Sequence, residues 1–179
     1  MVDTPVHGSA LGDIDAVIAL LERQRADGLH PGAQLYVSLG GEVVCDVAIG
    51  EARPGRALRT DDIMLWYSST KPLTAVAVAQ LLERGQLALD DEVGRYVAGW
   101  GNGKQRGTIR HVLTHMGGFA QAETFDADIS WDEAVARIAA CPASYPPGTW
   151  AGYHPTSGWK ILGEIVRVVD GRPIDTYLR

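Results

Sequence analysis

Between residues 33 and 49 apolar and polar side chains alternate on both sides of a Gly-Gly pair. Ala33, Leu35, Val37 and Leu39 alternate with Gln34, Tyr36 and Ser38; Gly40-Gly41 follows; Val43, Cys45, Val47 and Ile49 alternate on the return. A period of two, broken by two residues that tolerate positive φ, predicts an antiparallel β-hairpin with one apolar face. A two-stranded hairpin is marginal alone and needs more strands or packed helices. The remaining segments read mostly as helix. Ile14, Val17, Ile18, Leu20 and Leu21 recur at helical spacing over 13–28, with Asp13 placed to cap the start and Gly28 to end it. Residues 51–62, rich in Arg, Gly, Pro and Asp, read as a loop. Helix signals resume near Ser69 and run to Glu83, with Gly85 beyond the end. "GQLALDDEVGRYV" reads as a turn and a short helical piece, and "TIRHVLTHMGGF" as a helix ending at Gly117-Gly118. Residues 131–140 form a further helix, capped by Ser130 with Glu133 three residues on. After the loop "CPASYPPGTWAGYHP", Trp159, Leu162, Ile165, Val166 and Val169 share one face of a helix over 156–170 that Gly171 stops. The fold class is α+β with an incomplete sheet, the N-terminal hairpin only. Either the helices cover that hairpin or further strands come from outside this chain.

At 179 residues the chain is long enough for one domain with a real core. The net charge of −6 and the lack of any basic run exclude the usual footprints of nucleic-acid and membrane-surface binding. No apolar run is long enough to span a bilayer. The first residues carry no positive region followed by an apolar stretch, so a cytoplasmic location is expected. Cys45 and Cys141 are far apart, lack metal or redox spacing, and read as two buried free thiols. No His, Asp and Glu set has metal-ligand spacing, and no Gly-x-Ser-x-Gly occurs, so neither a metal, a cofactor nor a nucleophile-elbow triad is expected. A cytoplasmic enzyme and a cytoplasmic binding module both fit these totals.

Ser68 and Lys71 stand three apart at the head of the helix after "WYSSTK". A serine hydroxyl is a poor nucleophile until a base activates it. Residues at i and i+3 share a helix face. The positive end of the helix dipole favours negative charge developing at Ser68 and disfavours an ammonium at Lys71. Leu73, Ala75, Val76, Ala77, Val78, Leu81 and Leu82 cover nearly every face of the following helix, which predicts a central, buried helix. A lysine heading such a helix needs a reason, but Ser-x-x-Lys alone arises by chance, and a solvated lysine is the simpler reading of the tetrapeptide.

Three further stretches raise it above chance. Leu87-Ala88-Leu89-Asp90-Asp91-Glu92-Val93 follows the helix, then Thr108 to Phe119, "TIRHVLTHMGGF", then "YPPGTWAGYHPTSGWKILGEIVRVVDGRPI". With "WYSSTK" these resemble, in order over roughly 100 residues, the serine β-lactamase-like family: class C β-lactamases, D-Ala-D-Ala carboxypeptidases, and the esterases and acyltransferases of that fold. The resemblance implies a β-lactamase-like helical region plus antiparallel sheet, with residues 1–179 as the N-terminal part of one domain. It implies Ser68 as the acylated nucleophile, Lys71 as its partner, and Tyr153 as a general base held near its phenolate form by Lys71. A phenol of ordinary pKa is too weak a base at neutral pH unless a cation stands beside it.

One departure bears on substrate. β-Lactamases and carboxypeptidases carry Tyr-x-Asn, whose amide serves an acylamino group; this chain has Tyr153-His154-Pro155. Proline offers no donor, and Tyr-His before a Gly-Trp helix resembles the esterase-like branch. Trp66, Tyr67 and Trp150 flank the motifs as candidate walls of an apolar acyl pocket or as core aromatics, and His154 is placed to tune the site. His115 reads as a buried histidine bonded to backbone near a helix end, and His111 as lying on that helix's polar side. The implied activity is a serine hydrolase acting on small ester or amide substrates, esterase-like. An acyltransferase, a D-Ala-D-Ala carboxypeptidase or β-lactamase, and a non-catalytic binding protein are the alternatives. The resemblance also implies strands beyond Tyr153 that supply a second oxyanion donor, worth about 2.7–4 kcal/mol of barrier. Without them this chain is expected to be poorly active, and a second chain carrying the C-terminal half is one expected partner.

Overall fold

The computed structural model describes residues 7–10, 14–122 and 128–179; Asp13, expected as a cap, lies outside the described residues. Contacts separate the chain into two compact units, Met1–Leu65 and Trp66–Arg179.

In the first unit the hairpin forms. Strands β2 (Gly32–Leu39) and β3 (Glu42–Arg53) pair antiparallel, with Leu39 opposite Glu42 across Gly40-Gly41. Both glycines have positive φ, 60° and 90°, the two-residue geometry that matches strand twist and that a Cβ would strain. Cys45, Val47 and Ile49 are buried, as the alternation predicts, while Leu39 and Val43 beside the turn are exposed. The hairpin is not the whole sheet. Strand β1 (His7–Ala10) pairs with the other edge of β3, and the short β4 (Arg56–Ala57) pairs with its far end. The order is β1-β3-β2. β1 was invisible in the sequence because four residues, His-Gly-Ser-Ala, carry no apolar alternation; backbone pairing alone defines them. Helix α1 (Asp15–Ala26) lies against β3, ends before Gly28 in the left-handed region, and buries none of its residues. Gln34 Nε2 donates to the carbonyls of Arg59 and Asp62 at 2.7 and 2.8 Å, pinning the predicted loop.

In the second unit a 3₁₀ turn, Tyr67–Thr70, runs directly into α2 (Lys71–Glu83). Helices α3 (Ile109–Leu113), α4 (Trp131–Ala140), α5 (Ser157–Asp170) and α6 (Ile174–Tyr177) follow. The central helix is α5, which contacts α2, α3, α4 and α6 and buries every residue from Ile161 to Val166. This corrects the expectation that α2 is enclosed. Only Thr74, Ala77, Val78 and Leu81 of α2 are buried; Leu73 and Val76 remain 45% and 54% exposed. Apolar composition on every face permits burial on every face, but among the described residues only one face meets neighbours.

The Leu-Asp-Asp stretch acts as a brace. Asp91 accepts from the Ala88 N–H at 2.8 Å and from the Tyr96 hydroxyl at 2.6 Å, while its carbonyl accepts from the Ile109 N–H at 3.1 Å. Those bonds hold the Asp91 carboxyl below the usual carboxylate range, and burial, then the bond to Asp91, pushes Tyr96 up to about 12. The brace delivers the chain to α3. Thr108 Oγ1 accepts from the His111 N–H, and His111 Nδ1 from the Thr108 N–H, a reciprocal cap. Helix α3 stops well short of Gly117-Gly118 because His115 takes φ 60°. Helix α4 starts as expected, with Ser130 Oγ accepting from the Glu133 N–H at 3.2 Å. Both cysteines are free; Cys45 is buried, but Cys141 is only half-buried, at the mouth of a loop. Among the described residues no helix is long and apolar enough to cross a membrane.

Candidate active site

Ser68 and Lys71 meet because the chain enters α2 through a 3₁₀ turn, in which side chains at i and i+3 eclipse. Lys71 Nζ donates to Ser68 Oγ at 2.9 Å. Ser68 Oγ also lies 2.7 Å from the Tyr153 hydroxyl, so all three side chains share one hydrogen-bonded cluster. Lys71 donates to a lone pair of Oγ, and either hydroxyl can donate in the bond between Ser68 and Tyr153. Lys71 Nζ also stands 5.2 Å from the centre of the Tyr153 ring and 5.8 Å from that of Trp159, placing a positive charge beside the phenol oxygen's ring. Ser68 is exposed and Tyr153 is 53% exposed, so a reactant can reach the cluster from solvent. Tyr67, just before the serine, takes φ 47°, a position uncommon for any residue but glycine.

Tyr153 belongs to a Pro/Gly-rich loop that would wander without support. The segment after α3 supplies it. Ser144 N–H donates to the Gly118 carbonyl, Gly148 N–H to Met116, and Gly152 N–H to His115, at 2.8, 2.9 and 2.9 Å. His154 N–H then donates to His115 Nδ1 at 3.1 Å. The His115 ring lies 4.8 Å from that of Tyr153. Burial, and then the charge of Lys71, hold the His115 imidazole below its ordinary pKa.

His154, expected beside Tyr153 as a residue that tunes the site, does not face a substrate: it is fully buried. Its Nε2 accepts from the Phe119 N–H at 3.3 Å, and its ring packs 4.4 Å from Phe119 and 5.8 Å from His115. Neighbours in sequence point opposite ways here, Tyr153 outward to Ser68 and His154 inward to the core. Tyr67 does line a cavity of about 290 Å³ beside Lys71, with Thr74, Trp131, Pro155, Trp159 and Ile174. Trp66 and Trp150 are 61% and 67% exposed and do not line it. Trp131 and Trp159 were not anticipated as site residues. Trp159 fell on the apolar face of its helix, and the fold turns that face partly toward Lys71. His115 was anticipated as structural; its contact with Tyr153 bridges distant sequence and left no local signal.

Comparison with known proteins agrees with this architecture. The Beta-lactamase family model matches residues 17–179. Esterase EstB of Burkholderia gladioli is 32% identical over 186 residues, covering 90% of this chain and 46% of that protein. The crystal structure of a penicillin-binding protein homologue from Caulobacter crescentus superposes with a TM-score of 0.85 at 33% identity, covering 98% of this chain and 49% of that one. A family VIII carboxylesterase also gives a TM-score of 0.85, at 28% identity, with 97% and 49% covered. The chain spans about half the length of each of these relatives.

Proposed function

Since the chain belongs to the Beta-lactamase family, we propose that it carries the nucleophile half of a serine hydrolase that acts on ester, and secondarily amide, substrates through an acyl-enzyme on Ser68. The observation that carries this reading is the cluster itself, Ser68 Oγ at 2.7 Å from Tyr153 and 2.9 Å from Lys71. Tyr153 takes the serine proton as Oγ attacks the substrate carbonyl. Lys71 offsets the negative charge that Tyr153 carries as a phenolate before that transfer, and the transfer leaves Tyr153 a neutral phenol. The backbone N–H of Ser68, at the head of a helical stretch, donates to the oxyanion as the carbonyl becomes tetrahedral. Tyr153 returns its proton to the leaving alkoxide, the C–O bond to the alcohol breaks, and the acyl group remains on Ser68. Water, deprotonated by Tyr153, then attacks the ester, and the proton passes back to Ser68 Oγ.

The cavity beside Lys71 favours esters over acylamino substrates. Its wall at position 155 is a pyrrolidine ring, which offers no hydrogen-bond donor to a peptide-like side chain, and Tyr67, Trp131 and Trp159 supply aromatic surface. The similarity to an esterase and a carboxylesterase supports the same preference.

Intact-protein mass spectrometry after incubation with p-nitrophenyl acetate, and separately with a penicillin, tests this. An acetyl adduct that vanishes in Ser68→Ala is expected. A faster adduct with penicillin than with the ester would overturn the ester preference, and no adduct with either would overturn the acyl-enzyme.

A further inference from the structure

His115 holds Tyr153 from both sides. Its carbonyl accepts from the N–H of Gly152 at 2.9 Å and its Nδ1 accepts from the N–H of His154 at 3.1 Å, so the N–H groups of the two residues flanking Tyr153 end on one residue. Its ring covers the Tyr153 ring at 4.8 Å, tilted 57°. The edge of Trp159 closes the other side at 5.9 Å. The residue reaches these partners only because its backbone sits at φ 60°, where a side chain is uncommon and where histidine and asparagine are enriched. A turn of ordinary geometry would send carbonyl and ring in other directions.

Resting on the proposed acyl-enzyme reading, we propose that His115 is a positioning residue that, as a neutral imidazole, clamps Tyr153 against Ser68 and releases it on protonation. Nδ1 can accept from the His154 N–H only while it carries no proton, which puts the single proton of the neutral ring on Nε2. A second proton on Nδ1 turns an acceptor into a donor facing a donor. The groups that face His115 are the ammonium of Lys71 at the head of α2, the phenol of Tyr153, and the imidazole of His154, with Trp159 of α5 adding no charge. Apart from Tyr153 when it is a phenolate, none of them is an anion; burial, and then the charge of Lys71, oppose an imidazolium. The ring is therefore neutral at neutral pH, and the clamp opens on the acid side.

The test uses the full chain with tyrosine labelled at ¹³Cζ and histidine at ¹³Cε1, the Tyr153 signal being assigned through Tyr153→Phe. Over roughly pH 4.5 to 8, the Tyr153 signal should shift in step with that of His115, at a midpoint below that of a free histidine. The key variant is His115→Asn. Asparagine tolerates positive φ, and its Oδ1 stands one bond from Cγ, as Nδ1 does, but cannot titrate. It should abolish the pH-linked step in the Tyr153 signal. It should also keep acetylation of Ser68 by p-nitrophenyl acetate within about threefold at neutral pH, with the acid limb of the rate moved to lower pH. His115→Ala should lose roughly three- to tenfold of that rate at neutral pH and little below the midpoint, where the parent's clamp is already open. A Tyr153 signal indifferent to His115 titration, or an unchanged acid limb in His115→Asn, would overturn the clamp. Absence of acetylation in the parent chain would overturn the acyl-enzyme reading instead, while the two resonances still decide the clamp.

Discussion

Tyr153 is the residue on which the proposed chemistry turns, because the proposed path has it take and return the proton at the Ser68 oxygen. Replacing it with phenylalanine removes the hydroxyl 2.7 Å from Oγ and little else, since the ring contact with His115 persists. Tyr153→Phe should slow acetylation of Ser68 by roughly 100- to 10,000-fold, the usual worth of a positioned acid-base group. The burst of p-nitrophenol measured in a stopped-flow cell reads this directly, and a loss below about threefold would remove Tyr153 from the proton path. Ser68 and Lys71 were legible because a spacing of three is local and any helical turn brings the pair together. Tyr153 was not readable from spacing. It entered through the resemblance of its segment, and only the fold puts it against Ser68. His154 shows the opposite failure. Adjacency to Tyr153 suggested a place at the site, yet successive residues of an extended loop point to opposite sides, and this one points into the core.

At the level of elements, the sequence is most readable where each element carries its own punctuation. The Gly40-Gly41 turn, the Ser130 cap of α4 and the Gly171 stop of α5 all stand where those residues place them. It is least readable where an element's end is made by a side chain from elsewhere. Lys104 lies in the polar stretch "GNGKQRG", yet its side chain is fully buried. Its Nζ donates to the carbonyls of Gly101 at 3.1 Å, Ala139 at 3.0 Å and Cys141, and stands 4.8 Å over the Trp100 ring. It thus caps the C-terminus of α4, where a cation suits the helix dipole and the last carbonyls need donors. Burial holds its pKa below the ordinary lysine value, so charging it costs something that the three carbonyls offset. Lys104→Met keeps the length and apolar stem but leaves those carbonyls without their donor. We expect a loss of about 2 kcal/mol and a fall in Tm of roughly 5 °C by calorimetry, with Ser68 acetylation at 25 °C within about threefold. A variant as stable as the parent would mean that water satisfies those carbonyls and that Lys104 does not cap α4.

For the whole molecule, the decisive feature is the apolar row that α2 leaves exposed. Leu73 and Val76, one turn apart, are 45% and 54% exposed, while Leu82, at 37%, lies on another side of the helix. Isolated exposed leucines are ordinary, but a strip along the helix that carries the nucleophile is the kind of patch that folded proteins cover. Its helix is apolar on every side, which is the composition of a helix built to be enclosed. The chain spans about half the length of the relatives it matches, and among the described residues nothing covers this strip. We propose that the strip is a contact surface, met by the rest of a β-lactamase-like domain on the same or a second polypeptide. Alone in solution, the 179-residue chain should then associate through it. Sedimentation of the purified chain should give a mass above 19.2 kDa that rises with concentration. Leu73→Glu with Val76→Glu should return it to the monomer mass while shifting Tm by less than about 2 °C, because neither side chain lies in the core and exposed substitutions cost little. Two outcomes would sink the idea. One is a parent chain that sediments as a stable monomer at every concentration, for then the strip needs no cover. The other is association that the double variant leaves untouched, for then a different surface carries it.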